Sequence, residues 1–238
     1  MPKSLSNLNL HFFDEIRTTL RWLIAPHCLL CGQASRLLPL CAECQTLLPQ
    51  LTGHLCKRCS TPIPVAGTCG ACLQSPPAFN QVQAALSYHF PADHLVHLLK
   101  FQGQFGAAKA LADALVANLD PLSKPHYLVP VPLHPKRLRE RGFNQSLLIA
   151  KHLGQYFDIP ILLKGIDRQK HTLPQTMLSE KVRKKNIKDA FAVNINLSGK
   201  TVAIVDDVMT TGATANQLAQ TLKDKGASAV YVWVPIRA

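Results

Sequence analysis

Between Thr201 and Lys225 the chain passes from a β-branched apolar run to a pair of acids, a small hydroxylated turn and a helix-forming segment. That succession constrains the fold more than any other feature. Thr201 to Val205 has the composition of a strand buried on both faces, as strands of a parallel sheet are. Asp206 and Asp207 stand where the run ends, and Thr210-Thr-Gly-Ala-Thr214 leads into a predicted helix over 216–225. In an open α/β sheet, ligands bind outside the carboxyl ends of the strands. A turn that opens a helix offers backbone N–H groups and the positive end of the helix dipole, which suit a phosphate. Gly212 permits close backbone approach, and Thr210, Thr211 and Thr214 add hydroxyl donors. Two adjacent acids beside such a cradle suit a sugar diol, held directly or through magnesium. Capping a helix needs one Asp or Thr, not two acids and three threonines.

The stretch resembles the loop that binds phosphoribosyl pyrophosphate (PRPP) in type I phosphoribosyltransferases: an apolar run, Asp-Asp-Val, a variable residue, Thr-Thr-Gly, a variable residue, Thr. The resemblance implies that the catalytic acids Asp206 and Asp207 hold the ribose 2′- and 3′-hydroxyls. It also implies that Val208, Met209, Thr210, Thr211, Gly212, Ala213 and Thr214 form the PRPP-binding turn around the 5-phosphate.

Upstream lies an internal repeat. Cys28-x2-Cys31-x9-Cys41-x2-Cys44 recurs cysteine for cysteine, at an offset of 28, as Cys56-x2-Cys59-x9-Cys69-x2-Cys72. Each Cys-x-x-Cys turn aims two thiolates at one point, and two turns make a closed tetrahedral site. Eight ligands suit two structural zinc ions and leave no open position for a catalytic one. Redox thiols are the other reading of Cys-x-x-Cys, weakened here by four pairs in register. Ligation could be sequential, which makes each repeat self-sufficient, or crossed; spacing does not decide. With few large apolar residues, the segment needs metal to fold.

Eight thiolates and two dications would lower the formal charge of +12 to +8, still basic enough to draw an anionic partner. No apolar run approaches the ~20 residues of a membrane span, and Asp14, Glu15, Arg17 and Arg21 interrupt the first apolar stretch. The sequence therefore reads as cytoplasmic, where cysteine pairs mean metal rather than disulfides. Phe13, Ile16, Leu20, Leu23 and Ile24 recur at helical spacing, giving an amphipathic helix within residues 1–27 that packs on its own protein or docks on a membrane or partner. The expected organisation is this helix, a double zinc module over 28–75, a Pro-rich linker and an α/β domain over 80–238.

Within that domain, strands are predicted at 82–88, 127–132, 159–163, 190–197, 201–205 and 229–235, and helices at 92–100, 107–119 and 144–156. His89, His94 and His97 have no complementary ligand set and read as surface or packing residues. After the strand ending at Pro132 comes a basic loop with His134, Lys136, Arg137, Arg139 and Arg141, placed where a pyrophosphate would face the acids. The segment from Lys164 to Asp189 is basic and aperiodic, carrying Arg168, Lys170, Lys181, Arg183, Lys184 and Lys185; such a length reads as a lid or an excursion.

A cysteine-rich module, then Pro-Val-Pro-Leu-His, Arg-Glu-Arg-Gly-Phe-Asn-Gln and the acidic motif together resemble the ComF family, whose name comes from bacterial competence. The resemblance implies a type I phosphoribosyltransferase-like parallel sheet of about five strands flanked by helices. It implies pyrophosphate binding by the basic loop and closure of the basic excursion after Lys164, with Arg168 and Lys170, over magnesium-bound PRPP. It also implies a role in DNA uptake, with single-stranded DNA and competence-machinery proteins as partners. Single strands fit the sequence better than duplex, since no helix has the spacing of a major-groove reader. The basic residues Lys181, Arg183, Lys184 and Lys185, with Phe143 and Tyr156, suit a flexible backbone. Two readings stay open: a transferase acting on an unidentified base, and a binding protein that handles DNA. A zinc-module adaptor with a PRPP-sensing domain is a third.

Overall fold

The computed structural model describes residues 27–35, 38–119, 124–170 and 189–238. The predicted N-terminal helix and the basic residues Lys181, Arg183, Lys184 and Lys185 lie outside the described residues. The chain forms two compact units, 1–47 and 48–238.

The smaller unit holds the first cysteine set. Cys28 N–H donates to the Gln33 carbonyl (2.7 Å) and Gly32 N–H to the Cys28 carbonyl (2.9 Å), closing a tight knuckle. Cys41 then starts the short helix α1 (Ala42–Thr46). The same design recurs in the larger unit: Cys56 N–H donates to Thr61, Ser60 N–H to Cys56, and Cys69 starts α2 (Gly70–Gln74). The repeat in sequence is thus a repeat in backbone. One substitution bears on the backbone: Gly32 has φ +73°, and its counterpart Ser60 adopts φ +53°. Ser60 accepts this left-handed strain, and its hydroxyl donates to the Val82 carbonyl (2.6 Å).

The larger unit is built on a five-stranded sheet. In chain order it contains β1 (Gln81–Ser87), α3 (Ala92–Gln102), α4 (Gly106–Val116), β2 (Tyr127–Pro130), α5 (Pro135–Arg141) and α6 (Gln145–Phe157). There follow β3 (Ile166–Arg168), β4 (Phe191–Val193), β5 (Thr201–Val205), β6 (Val208–Met209), α7 (Ala213–Asp224) and β7 (Ala229–Arg237). The order is β1-β7-β5-β2, with β6 also on β7, and every pairing is parallel. Helices flank the sheet: α4 lies on β1 and β7, and α6 on β2 and β5. Alternate residues Val82, Val129, Val202, Ile204, Val230, Val232 and Val234 join Leu218 and Leu222 of α7 and Cys56, Cys59 and Cys72 in one buried core. The second cysteine set is therefore continuous with the core of the sheet. Its approach segment also covers the edge of β1, with Leu51 N–H donating to Ala85 and Ser87 N–H to Pro49 (both 2.8 Å).

Three expectations are corrected. Residues 159–163 form no strand; Ile161 makes only an isolated bridge to Leu128, because Pro160 has no N–H to continue a ladder. Residues 190–197 do not enter the main sheet. Phe191–Val193 pairs antiparallel with Ile166–Arg168 as a separate ribbon, and Gln169 N–H donates to Ala190 (2.8 Å) at its end. The stretch from Pro135 to Arg141 is a helix, not a loop. His134 caps it by accepting from Lys136 N–H (3.2 Å), Pro135 occupies its first turn, and Gly142 ends it at φ +81°.

Candidate functional site

β5 pairs with β7 as far as Val205 opposite Trp233; the ladder is then interrupted and resumes in the same register at Val208 opposite Ile236. Asp206 and Asp207 occupy the gap. Pro235, which has no N–H to offer a ladder, stands in β7 beside that gap. The acids therefore leave the sheet at its carboxyl end, and β6 turns straight into the threonine segment and α7.

Asp206 Oδ1 accepts from the Ser146 hydroxyl (2.8 Å) at the start of α6 and from Asp207 N–H (3.0 Å). Burial, and next the Asp207 charge, push the Asp206 carboxyl up to about 7, against the opposing pull of Ser146 and Lys100. Asp207 is buried, and its Oδ2 forms an ion pair with the Lys100 ammonium, without the angles of a hydrogen bond. Asp207 is thus a buried group tied to α3, although its place at a strand end suggests an accessible one. Burial lowers the Arg141 guanidinium while Arg137 and Asp207 act on it oppositely; burial likewise lowers Arg168, which feels both Asp206 and Arg137. The fold therefore brings Arg141 and Arg168 within electrostatic reach of the acidic pair and Arg137 within reach of both arginines, while Arg137 itself pairs with Glu140 at 3.7 Å. Lys136 and Arg139 are exposed on α5, and Lys170 pairs with Asp189 at 3.9 Å.

Gly212, at φ +75°, caps the start of α7. A Cβ placed there would lie 2.4 Å from Met209 Cε. Glycine is therefore required by a left-handed backbone and by packing on the inner side. Met209 is buried in the core, Val208 is half-buried, and Thr210 and Thr211 are exposed where α7 begins.

Sequence reasoning missed Ser146, Lys100 and Arg237. Ser146 directly follows the Phe-Asn-Gln string, so it had a signal; Lys100 and Arg237 had none. Arg237 joins two parts of the molecule. Its Nε donates to the Cys59 carbonyl (3.0 Å), its Nη2 to the Thr61 hydroxyl (2.6 Å), and its Nη1 to the carbonyls of Met209 (3.0 Å) and Thr210. Asn216 of α7 adds a second tie, its Oδ1 accepting from Ala78 N–H (2.6 Å).

The thiols form the sets Cys28, Cys31, Cys41, Cys44 and Cys56, Cys59, Cys69, Cys72, each with its ligand atoms within 4.8 Å. Ligation is therefore sequential. The Cys31–Cys41 and Cys59–Cys69 sulfurs are 3.7 Å apart. A tetrahedron with Zn–S bonds of 2.3 Å has an edge of about 3.8 Å. Burial works to raise Cys28 and Cys56, yet backbone N–H donors bring both down to about 6. Burial and neighbouring thiols hold Cys44 and Cys72 up. Four thiols cannot all ionise at such distances without a cation, and these sets fit zinc, which would supply cross-linking rather than catalysis.

Residues 19–73 match the double zinc ribbon domain. DNA utilization protein YhgH of Escherichia coli (strain K12) is 35% identical over 213 residues, covering 87% of this chain and 88% of that protein. Competence protein F of Haemophilus influenzae is 34% identical over 209 residues, covering 84% and 90%. Among solved structures, the purine phosphoribosyltransferase from Pyrococcus horikoshii Ot3 aligns over 66% of this chain and 87% of its own, at 19% identity and a TM-score of 0.33. Fold and cysteine sets define a protein made of a double zinc ribbon and a parallel α/β sheet flanked by helices. The chain belongs to the family of competence protein F and DNA utilization protein YhgH. Among the described residues no helix is long and apolar enough to cross a membrane.

Proposed function

We propose that this protein binds magnesium-bound PRPP and acts in DNA uptake, handling incoming single-stranded DNA in the cytoplasm. The observation that carries the reading is the acidic pair at the end of β5, followed at once by the threonine turn at the start of α7 and faced by Arg141 and Arg168, with Arg137 near both arginines. Asp206 and Asp207 would hold the ribose diol, with magnesium neutralising the pyrophosphate beside them. Thr210, Thr211, Thr214 and the backbone N–H groups of Ala213 and Thr214 would hold the 5-phosphate, and the three arginines the pyrophosphate. Ser146 fixes Asp206 and Lys100 fixes Asp207. The DNA role draws on the names of the relatives and on the basic charge.

Transferase action on a base acceptor is the second reading, favoured by arginines placed to stabilise a departing pyrophosphate. One titration separates the two. A labelled single-stranded oligonucleotide is bound to the protein, and PRPP is then added with magnesium. Competition or a change in affinity supports a site shared or coupled with DNA. Steady pyrophosphate release with a free base, and no oligonucleotide binding, would replace the DNA reading with the transferase.

A further inference from the structure

We propose that one face of α3 is a stacking platform for the bases of single-stranded nucleic acid, a location that rests on the DNA reading above. His94, His97 and Phe101 are spaced three and four residues apart, which aligns them along one side of α3, and Phe90 stands in the turn just before the helix with its ring next to His94. A stripe at this spacing is ordinarily the buried one, but here Ala92, Leu95, Val96, Leu98 and Leu99 already fill the core. The rings instead reach solvent: Phe90 is 75% exposed and Phe101 67%. They form a ladder, with centroids 6.3 Å apart for Phe90–His94, 6.5 Å for His94–His97 and 5.0 Å for His97–Phe101. The two imidazoles are nearly parallel, at 7°.

The ladder leads toward the acidic site. Lys100, beside Phe101, pairs with Asp207, and the Arg141 guanidinium sits 5.9 Å from the Phe101 ring centre. Phe105, 54% exposed, meets Phe143 edge-on at 5.0 Å. Four further features select the occupant. The faces are flat and aromatic rather than aliphatic, two of the four rings are imidazoles, and Arg141 adds a planar cation over the end of the row. The chain carries a net charge of +12, with Lys136, Arg137 and Arg139 on the neighbouring α5. A lipid surface or an apolar helix would need none of these cations beside the rings. A strand of bases on a phosphate backbone uses both, because every base has a π-face and every phosphate a charge.

The test is fluorescence anisotropy with labelled oligodeoxythymidylate and an abasic strand of equal length, at several salt concentrations. Phe90→Ala with Phe101→Ala is compared with parent and with Phe90→Trp plus Phe101→Trp. Loss of one base stack weakens binding by about 5- to 150-fold. The alanine variant should lose at least that much for oligodeoxythymidylate, keep its melting temperature, keep the slope of log affinity against log salt, and bind the abasic strand as the parent does. The tryptophan variant should bind as well as the parent or better. An alanine variant with parental affinity overturns the platform and leaves the DNA reading standing on the basic residues. Equal losses for the thymidylate and abasic strands also overturn it. A parent that binds no oligonucleotide at any salt overturns both.

Discussion

Arg237→Gln probes whether the second zinc ribbon and the threonine turn behave as one body. The guanidinium bridges the carbonyls of Cys59, Met209 and Thr210 and the hydroxyl of Thr61, and a glutamine amide can reach only part of that set. Hydrogen bonds from a charged donor contribute about 1.5–3 kcal/mol each. These four share one half-buried side chain and are not additive, so the expected loss is that of one to two such bonds, about 2–4 kcal/mol. Met209 keeps the Ala238 N–H as a donor at 2.9 Å, which argues for the lower end. For a unit of this size that loss lowers the melting temperature by about 5–15 °C. Scanning calorimetry reads the melting temperature, isothermal calorimetry reads magnesium-PRPP affinity, and a chromophoric chelator reads zinc release. All three should move together: earlier melting, weaker ligand binding and faster loss of one of two zinc ions. Because coupling is reciprocal in binding free energy, PRPP should also raise the zinc affinity of the second site, read by chelator competition, in the parent and not in the variant. A variant with parental melting, affinity and zinc release would refute the coupling.

The two ribbons should differ in consequence. Elemental analysis should find one zinc instead of two in both Cys31→Ser and Cys59→Ser, while only Cys59→Ser lowers the melting temperature of the α/β unit, since its ribbon is part of that core. Gly212→Ala forces a Cβ onto Met209 at a left-handed φ and should cost about 1–2 kcal/mol or more, read by denaturant unfolding, with ligand affinity falling as the turn shifts. Asp206 gives a pH dependence of definite sign. Its folded pKa, about 7, lies above its ordinary 3.8, so the ligand-free fold favours the proton: the group's unfavourable contribution grows from about pH 4 to 7 and is complete above 7. PRPP binding needs the charged form, so affinity should rise through pH 7, with about a tenfold deficit one unit below, and Asp206→Asn should show no such rise, its affinity staying at or below the parent's low-pH value at every pH.

Local signals made much of this legible. Thr201–Val205 reads as a buried parallel strand and is one, and the cysteine offset of 28 reappears bond for bond in the two knuckles. The acids and the threonine turn lie at the end of β5 where the motif puts them. What stayed hidden depends on distant parts of the chain. Lys100 has no local feature that announces Asp207, and nothing near Arg237 points to Cys59. His134 and Gly142 do bracket a helix in the sequence, but the density of arginines between them reads as a loop. Pro235 reads as the end of a strand, whereas β7 continues past it because the neighbouring chain has left the ladder there. His94 and His97 read only as surface or packing residues, and it is exposure that separates the aromatic row at α3 from the leucine stripe beside it.

Calorimetric titration of the zinc-loaded protein with magnesium-PRPP, alongside Asp206→Asn plus Asp207→Asn, tests the central claim most directly. Asparagine keeps the shape and the Ser146 contact while removing both charges, and it spares Lys100 the loss of a side chain beside it. The account predicts one PRPP per chain for the parent, binding that weakens when magnesium is withdrawn, and no measurable binding in the double variant with both zinc ions retained. No binding by the parent, or undiminished binding by a folded double variant, would contradict it.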